Sequence, residues 1–192
     1  MLFSLRYCIG ATGVTKCYPV IFREDRKTKD ICLTNSSLEG EYCFMNSNNV
    51  NLVGFKLKGK YSFQYVNNLY IKDSYLDTKD AFWHSKNVVV ENSVLNGEYL
   101  GWHSKNLKLV RCHISGEQPL CHAQNLVLDH CTFDSACDRA FEYSTVDAVI
   151  DGHIASIKNP TSGKIVVDSV GEVIIDQFVE QPNNCTIVVD NK

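Results

Sequence analysis

Asparagine returns along this chain at a fixed interval: Asn49, Asn68, Asn87, Asn106 and Asn125 lie 19 residues apart, and Asp30 stands one period earlier. The same frame surrounds each mark, as in Asn68-Leu69-Tyr70-Ile71 and Asn87-Val88-Val89-Val90. A strict period of this length is the signature of a solenoid, in which each unit packs only on its neighbours and the core is a line rather than a ball. Most globular folds are excluded before composition is considered.

Aligning the periods shows what each unit contains. Val50, Leu69, Val88, Leu107 and Leu126 form one column, and Leu52, Ile71, Val90, Leu109 and Leu128 form another two places on. Apolar residues at alternate positions mark one face of a β-strand. Leu38, Leu57, Leu76, Leu95, Ile114 and Phe133 make a further column, two places after Ser36, Phe55, Ser74, Ser93, Cys112 and Cys131, and predict a second strand. Turn positions follow at Glu39-Gly40, Lys58-Gly59, Asp77-Thr78, Asn96-Gly97 and Ser115-Gly116. A third strand is assigned to the column Phe44, Phe63, Phe82, Gly101 and Leu120.

Three short strands in 19 residues make one coil of a helix of strands. The expected fold is all-β: a single-stranded right-handed parallel β-helix with about 19 residues per coil and successive coils about 4.8 Å apart. The right hand follows the preference of parallel crossovers. Hexapeptide, pentapeptide and leucine-rich solenoids have other periods or frames. The asparagine mark is expected to be a corner, because Asn tolerates left-handed backbone and stacked amides can bond to the copies above and below.

Residues 30–192 are read as the β-helix with carboxy-terminal closing strands, and residues 1–29 as an irregular or truncated first coil, since Thr12, Val14 and Pro19 stand where core residues belong. After Asn125 the strand Ala148-Val149-Ile150-Asp151 arrives about three residues late, which places a projecting loop within Asp134–Arg139. Ile165-Val166-Val167, Val173-Ile174-Ile175 and Ile187-Val188-Val189, interrupted by Pro160 and Pro182, read as tapering coils that cap the end.

The formal charge of −3 and the pI near 6.0 give no basic stripe, which argues against nucleic-acid and anionic-membrane partners. No apolar run of about 18 residues predicts a transmembrane helix. The start, Met1 to Cys8, is broken by Arg6 and does not read as a signal peptide. Nine cysteines, an odd number without a Cys-x-x-Cys pair, indicate neither a disulfide framework nor a zinc ribbon. A cytoplasmic location and no cofactor are expected.

Phe44-Met45-Asn46-Ser47, Asp80-Ala81-Phe82-Trp83, Gly97-Glu98-Tyr99-Leu100-Gly101-Trp102 and Ala140-Phe141-Glu142-Tyr143-Ser144 resemble a bacterial family of uncharacterised, pectate-lyase-like right-handed parallel β-helix proteins, classed as a domain of unknown function. The resemblance covers about residues 30–192. It implies the fold, no established activity, and an amino end shortened relative to other members. A hydrogenase label that some members carry is at odds with the absence of closely spaced thiolate pairs.

Two places could carry chemistry. His84, His103 and His122 lie one period apart, with Trp83 and Trp102 beside them and Tyr99 just before. On a coil these become a column of rings suited to saccharide contact, although stacking within the structure is the competing role. Imidazoles pointing the same way converge poorly on a metal, so no metal site is assigned. The second place is the irregular segment from Asp138 to Asp147, where Glu142 and Asp147 are the carboxylates to test for glycoside hydrolysis, against a role in capping turns and pairing with Arg139. Arg111 and Arg139 have no acid cluster in register that would match a polysaccharide lyase, and Gly152-His153 only faintly echoes a hydrolase signature. Cys112 and Cys131 are assigned to the core, and Cys121 beside His122 lacks triad partners in the nearby sequence. The functional alternatives are therefore a β-helix that binds or processes a saccharide and a non-catalytic scaffold that self-associates through its coil ends.

Overall fold

A computed structural model describes residues 9–14, 29–177 and 183–190. Its strands in chain order are β1 (Ile9–Val14), β2 (Lys29–Glu41), β3 (Asn48–Val53), β4 (Lys56–Lys60), β5 (Asn67–Lys72), β6 (Tyr75–Lys79), β7 (Lys86–Glu91), β8 (Val94–Asn96), β9 (Lys105–Val110), β10 (His113–Ser115), β11 (Leu126–Phe133), β12 (Thr145–Lys158), β13 (Ser162–Ile174) and β14 (Asn184–Val189). No helix occurs among the described residues. Each strand pairs in parallel with its equivalent in the next coil, so the chain is a parallel β-helix of about 19-residue turns. Most of residues 1–29 lies outside the described residues, but β1 pairs in parallel with β2.

Two walls are sheets. In the first, β3, β5, β7 and β9 bring Val50, Leu69, Val88 and Leu107 into register. In the second, β4, β6, β8 and β10 align Leu57, Leu76, Leu95 and Ile114. All eight of these side chains are buried. The alternating apolar columns are thus the inner faces of two stacked sheets, and each fully buried aliphatic contributes about 1.5–3 kcal/mol.

The third side departs from the expected strand. Residues 61–65, 80–84 and their equivalents are turns in which every second residue has positive φ, as at Tyr61 (58°), Phe63 (61°) and Tyr65 (55°), and again at Asp80 (54°), Phe82 (63°) and His84 (54°). These residues donate in alternate directions. Tyr61 N–H bonds to Lys79 O in the following coil, Phe63 N–H to Cys43 O in the preceding one, and Tyr65 N–H to Trp83 O in the following one. The alternation contracts and bends a segment that must return to the first wall, while still tying each coil to both neighbours. Left-handed backbone costs about 1–2 kcal/mol per residue. The inward ring of each arc helps to offset it: Phe44, Phe63 and Phe82 are buried and stack 5.2 Å apart.

Both corners of the first wall are also left-handed. At one, Asn49, Asn68, Asn87, Asn106 and Asn125 have φ between 53° and 58°. Their amides form the expected ladder, with donor–acceptor distances of 3.0 Å from Asn68 to Asn49, 3.2 Å from Asn87 to Asn68 and 2.8 Å from Asn106 to Asn87. The other corner, between the two sheet walls, is made by Asn35, Gly54, Asp73, Asn92, Arg111 and His130, with φ between 48° and 63°.

Regularity ends after Asn125. Ser144 stands 21 residues beyond Ala123, to which its hydroxyl is bonded. The extra length does not simply project: Ser135 and Ala136 are exposed, but Cys137 is fully buried and donates its thiol to Ile114 O. Asp134 Oδ1 accepts the Ala136 N–H and closes the turn. The next coil shortens, with Thr145 opposite Ser162. At the carboxy end Val173, Ile175, Val188 and Val189 remain exposed.

Candidate functional site

The last left-handed residue of successive arcs builds a ladder of rings. Tyr65, His84, His103, His122 and Tyr143 all have φ of 54° or 55°. Their ring centroids follow one another at 5.1, 4.9, 4.7 and 5.3 Å, with interplanar angles of 8°, 9°, 15° and 32°. Repetition of the same backbone conformation one coil apart produces this stack, because it repeats the side-chain direction, and it persists to Tyr143 across a coil two residues longer. Each inner ring therefore has both faces covered by its neighbours and presents an edge to solvent. The imidazole nitrogens lie side by side rather than around a point, and no group of His, Cys, Asp and Glu among the described residues could hold a metal ion. Partial burial, then the proximity of His122 and His84, holds His103 below the ordinary histidine value.

The two tryptophans, equivalent in sequence, differ in space. Trp83 lies 20° from parallel to His84 at 5.5 Å, and its buried indole nitrogen has no hydrogen-bond partner among the described residues. Trp102 stands across the stack, at 83° to His103 and 68° to His122, and Tyr99 meets it at 74° with centroids 5.2 Å apart. Its indole N–H donates to Gln118 O at 2.8 Å, which fixes that orientation. Trp102 and Trp83 are both half-buried. Tyr99 itself carries Lys79 Nζ 5.2 Å from its ring centre, a cation–π contact.

Glu142 shares the column of Trp83, Trp102 and Cys121, continued across the longer coil. Its carboxylate is paired with Lys158 at 2.9 Å, and Lys158 also approaches Asp176 at 3.5 Å. The bond to Glu142 raises the Lys158 ammonium above its ordinary value. Asp147 sits on β12, exposed, where its Oδ1 accepts the backbone N–H of Lys164 at 3.0 Å. The two acids thus have separate partners, one in the arc and one on the first wall. Arg139 pairs with Asp138 at 2.8 Å. Cys121 is fully buried, and burial pushes its thiol up to about 12, which disfavours the thiolate a nucleophile requires.

Sequence columns bring His84, His103, His122, Trp83, Trp102 and Tyr99 onto one flank. They leave out the rings that extend it, Tyr65 and Tyr143. Tyr65 was accessible to the same reasoning, being one period before His84, whereas Tyr143 is displaced by the inserted residues. A family profile described as a protein of unknown function, DUF3737, matches residues 25–188. No curated protein and no solved structure matches this chain.

Proposed function

We propose that this chain, which belongs to the family of proteins of unknown function DUF3737, binds a linear saccharide along its aromatic and imidazole flank. The observation that carries the reading is the orientation of Trp102 across an otherwise closed stack of rings. A pyranose packs its C–H face on an aromatic plane, and in the ladder the inner planes are already covered. Trp102 supplies the platform. The edges of His84, His103 and His122, about one ring apart along the axis, supply polar groups to successive hydroxyls. Binding rather than hydrolysis is favoured because Glu142 is neutralised by Lys158 and Asp147 caps a backbone N–H.

A glycan array followed by titration of the best ligand tests this. Trp102→Ala is expected to weaken binding by roughly tenfold or more, the scale of one buried aromatic contact. Trp83→Ala, matched for folding by thermal midpoint, is expected to change it far less. Absence of any glycan ligand, or equal effects of the two substitutions, would remove the basis for the proposal. The exposed Val173, Ile175, Val188 and Val189 favour a second reading, a scaffold that self-associates end to end. A monomer by sedimentation at high concentration would eliminate it.

A further inference from the structure

The corner between the sheet walls changes character along the solenoid. Its left-handed positions are filled by Asn35, Gly54, Asp73 and Asn92, residue types that tolerate positive φ, then by Arg111 (49°), which does not favour it, and by His130 (51°). Arg111 and His130 both open onto one groove of about 350 Å³, lined also by His113, Asn92, Val94 and Thr132. None of its lining residues is acidic, in a chain whose net charge is −3.

Arg111, His113 and His130 are each held through one side-chain nitrogen. Arg111 Nε donates to Asn92 Oδ1 at 2.8 Å, which anchors the guanidinium while its two terminal nitrogens make no ion pair among the described residues. The Thr132 hydroxyl lies 2.9 Å from His113 Nδ1, and with that hydroxyl donating, the Nε2–H of His113 is left to donate outward. Asp151 holds His130 through Nδ1 at 3.0 Å. Asp73, one coil before Asn92 along the same corner, is occupied by the Asn92 amide at 3.2 Å. We propose that this groove binds a phosphate monoester of monosaccharide size, with Arg111 as the principal anion ligand and His113 and His130 flanking it. The guanidinium fork suits a phosphate oxygen pair, and the volume lies within the range of small-molecule sites.

The test is NMR titration of the full chain with glucose 6-phosphate, with glucose and glucuronate as controls. Glucose 6-phosphate is expected to bind with a Kd on the order of 1 mM and to shift the resonances of Arg111, His113 and His130, whereas glucose leaves them unmoved. Arg111→Asn restores the corner's own residue type, so it is expected to keep or raise the thermal midpoint while weakening binding by about tenfold or more. Trp102→Ala, on the arc, should leave this binding unchanged. No shift at the three residues, or undiminished binding by Arg111→Asn, overturns the site. Equal binding of glucuronate overturns the phosphate assignment, and loss of binding in Trp102→Ala overturns its location.

Discussion

Replacing Asn87 by alanine and by glycine separates the two contributions of the corner ladder, through the sign of a difference. Asn87 sits at φ 54°. Its amide donates to Asn67 at 3.1 Å and Asn68 at 3.2 Å and accepts from Asn106 at 2.8 Å. All three bonds are exposed, so each is given the lower end of the usual range, about 0.5 kcal/mol. Either substitution therefore loses about 1.5 kcal/mol of ladder. Alanine also incurs the left-handed penalty of about 1–2 kcal/mol, which glycine escapes. Glycine in turn loses about 0.5–1 kcal/mol more chain entropy on folding. Asn87→Ala should then cost about 2.5–3.5 kcal/mol and Asn87→Gly about 2–2.5 kcal/mol, leaving glycine ahead by about 0.75 kcal/mol at the middle of these ranges. In ordinary strand or helix the order is reversed. Urea denaturation of both variants with a common slope resolves a difference of this size. An alanine variant as stable as the glycine variant, or more so, would refute the assignment of left-handed strain to this corner.

Gly116→Ala places a Cβ 2.4 Å from the Gly97 carbonyl at a φ of 116°, so the coil must shift; a loss of about 3 kcal/mol or more is expected in thermal or urea unfolding. His103 is held below its ordinary value, so as pH falls through 6.5 the unfolded chain takes up the proton first and stability declines. His103→Phe keeps a ring in the stack and should flatten that part of the pH profile of the unfolding midpoint. Burial pushes the thiols of Cys121 and Cys137 up to about 12. Mass spectrometry after iodoacetamide treatment near pH 8 should find both unmodified in the native protein and labelled once it is unfolded.

The walls were legible because their signal is redundant: the Leu57, Leu76, Leu95 and Ile114 column repeats one physical requirement in every coil. The asparagine ladder was legible for the same reason, since one residue type meets both the backbone and the hydrogen-bond demand. The arc reads as a strand in the sequence because Phe44, Phe63 and Phe82 are buried either way. What distinguishes the two is the sign of φ at residues such as Tyr65 and His84, where aromatic identity gives no warning of left-handed backbone. The second corner stayed hidden because Asn35, Gly54, Asp73, Asn92, Arg111 and His130 share a conformation without sharing a chemistry. The contrast between Trp83 and Trp102 depends on side-chain rotation and on a carbonyl from Gln118, neither of which repeats with the period. Likewise, the Glu142–Lys158 pair joins coils of unequal length, beyond the reach of a fixed column.

The amide ladder from Asp30 to Asn125 has a consequence for how such a chain can change over generations. A side chain that must meet its copy one coil away tolerates duplication or loss of a whole 19-residue unit, which restores every contact, but not gain or loss of one or two residues, which misaligns the amide with both neighbours. Past Asn125 its backbone N–H bonds to Thr145 Oγ1 instead of another amide continuing the run. There coil length drifts, with 21 residues between Ala123 and Ser144 and 17 between Ser144 and Thr161. The ladder thus acts as a filter on insertions and deletions: it confines small length changes to the carboxy-terminal coils and leaves whole-unit change open to the rest.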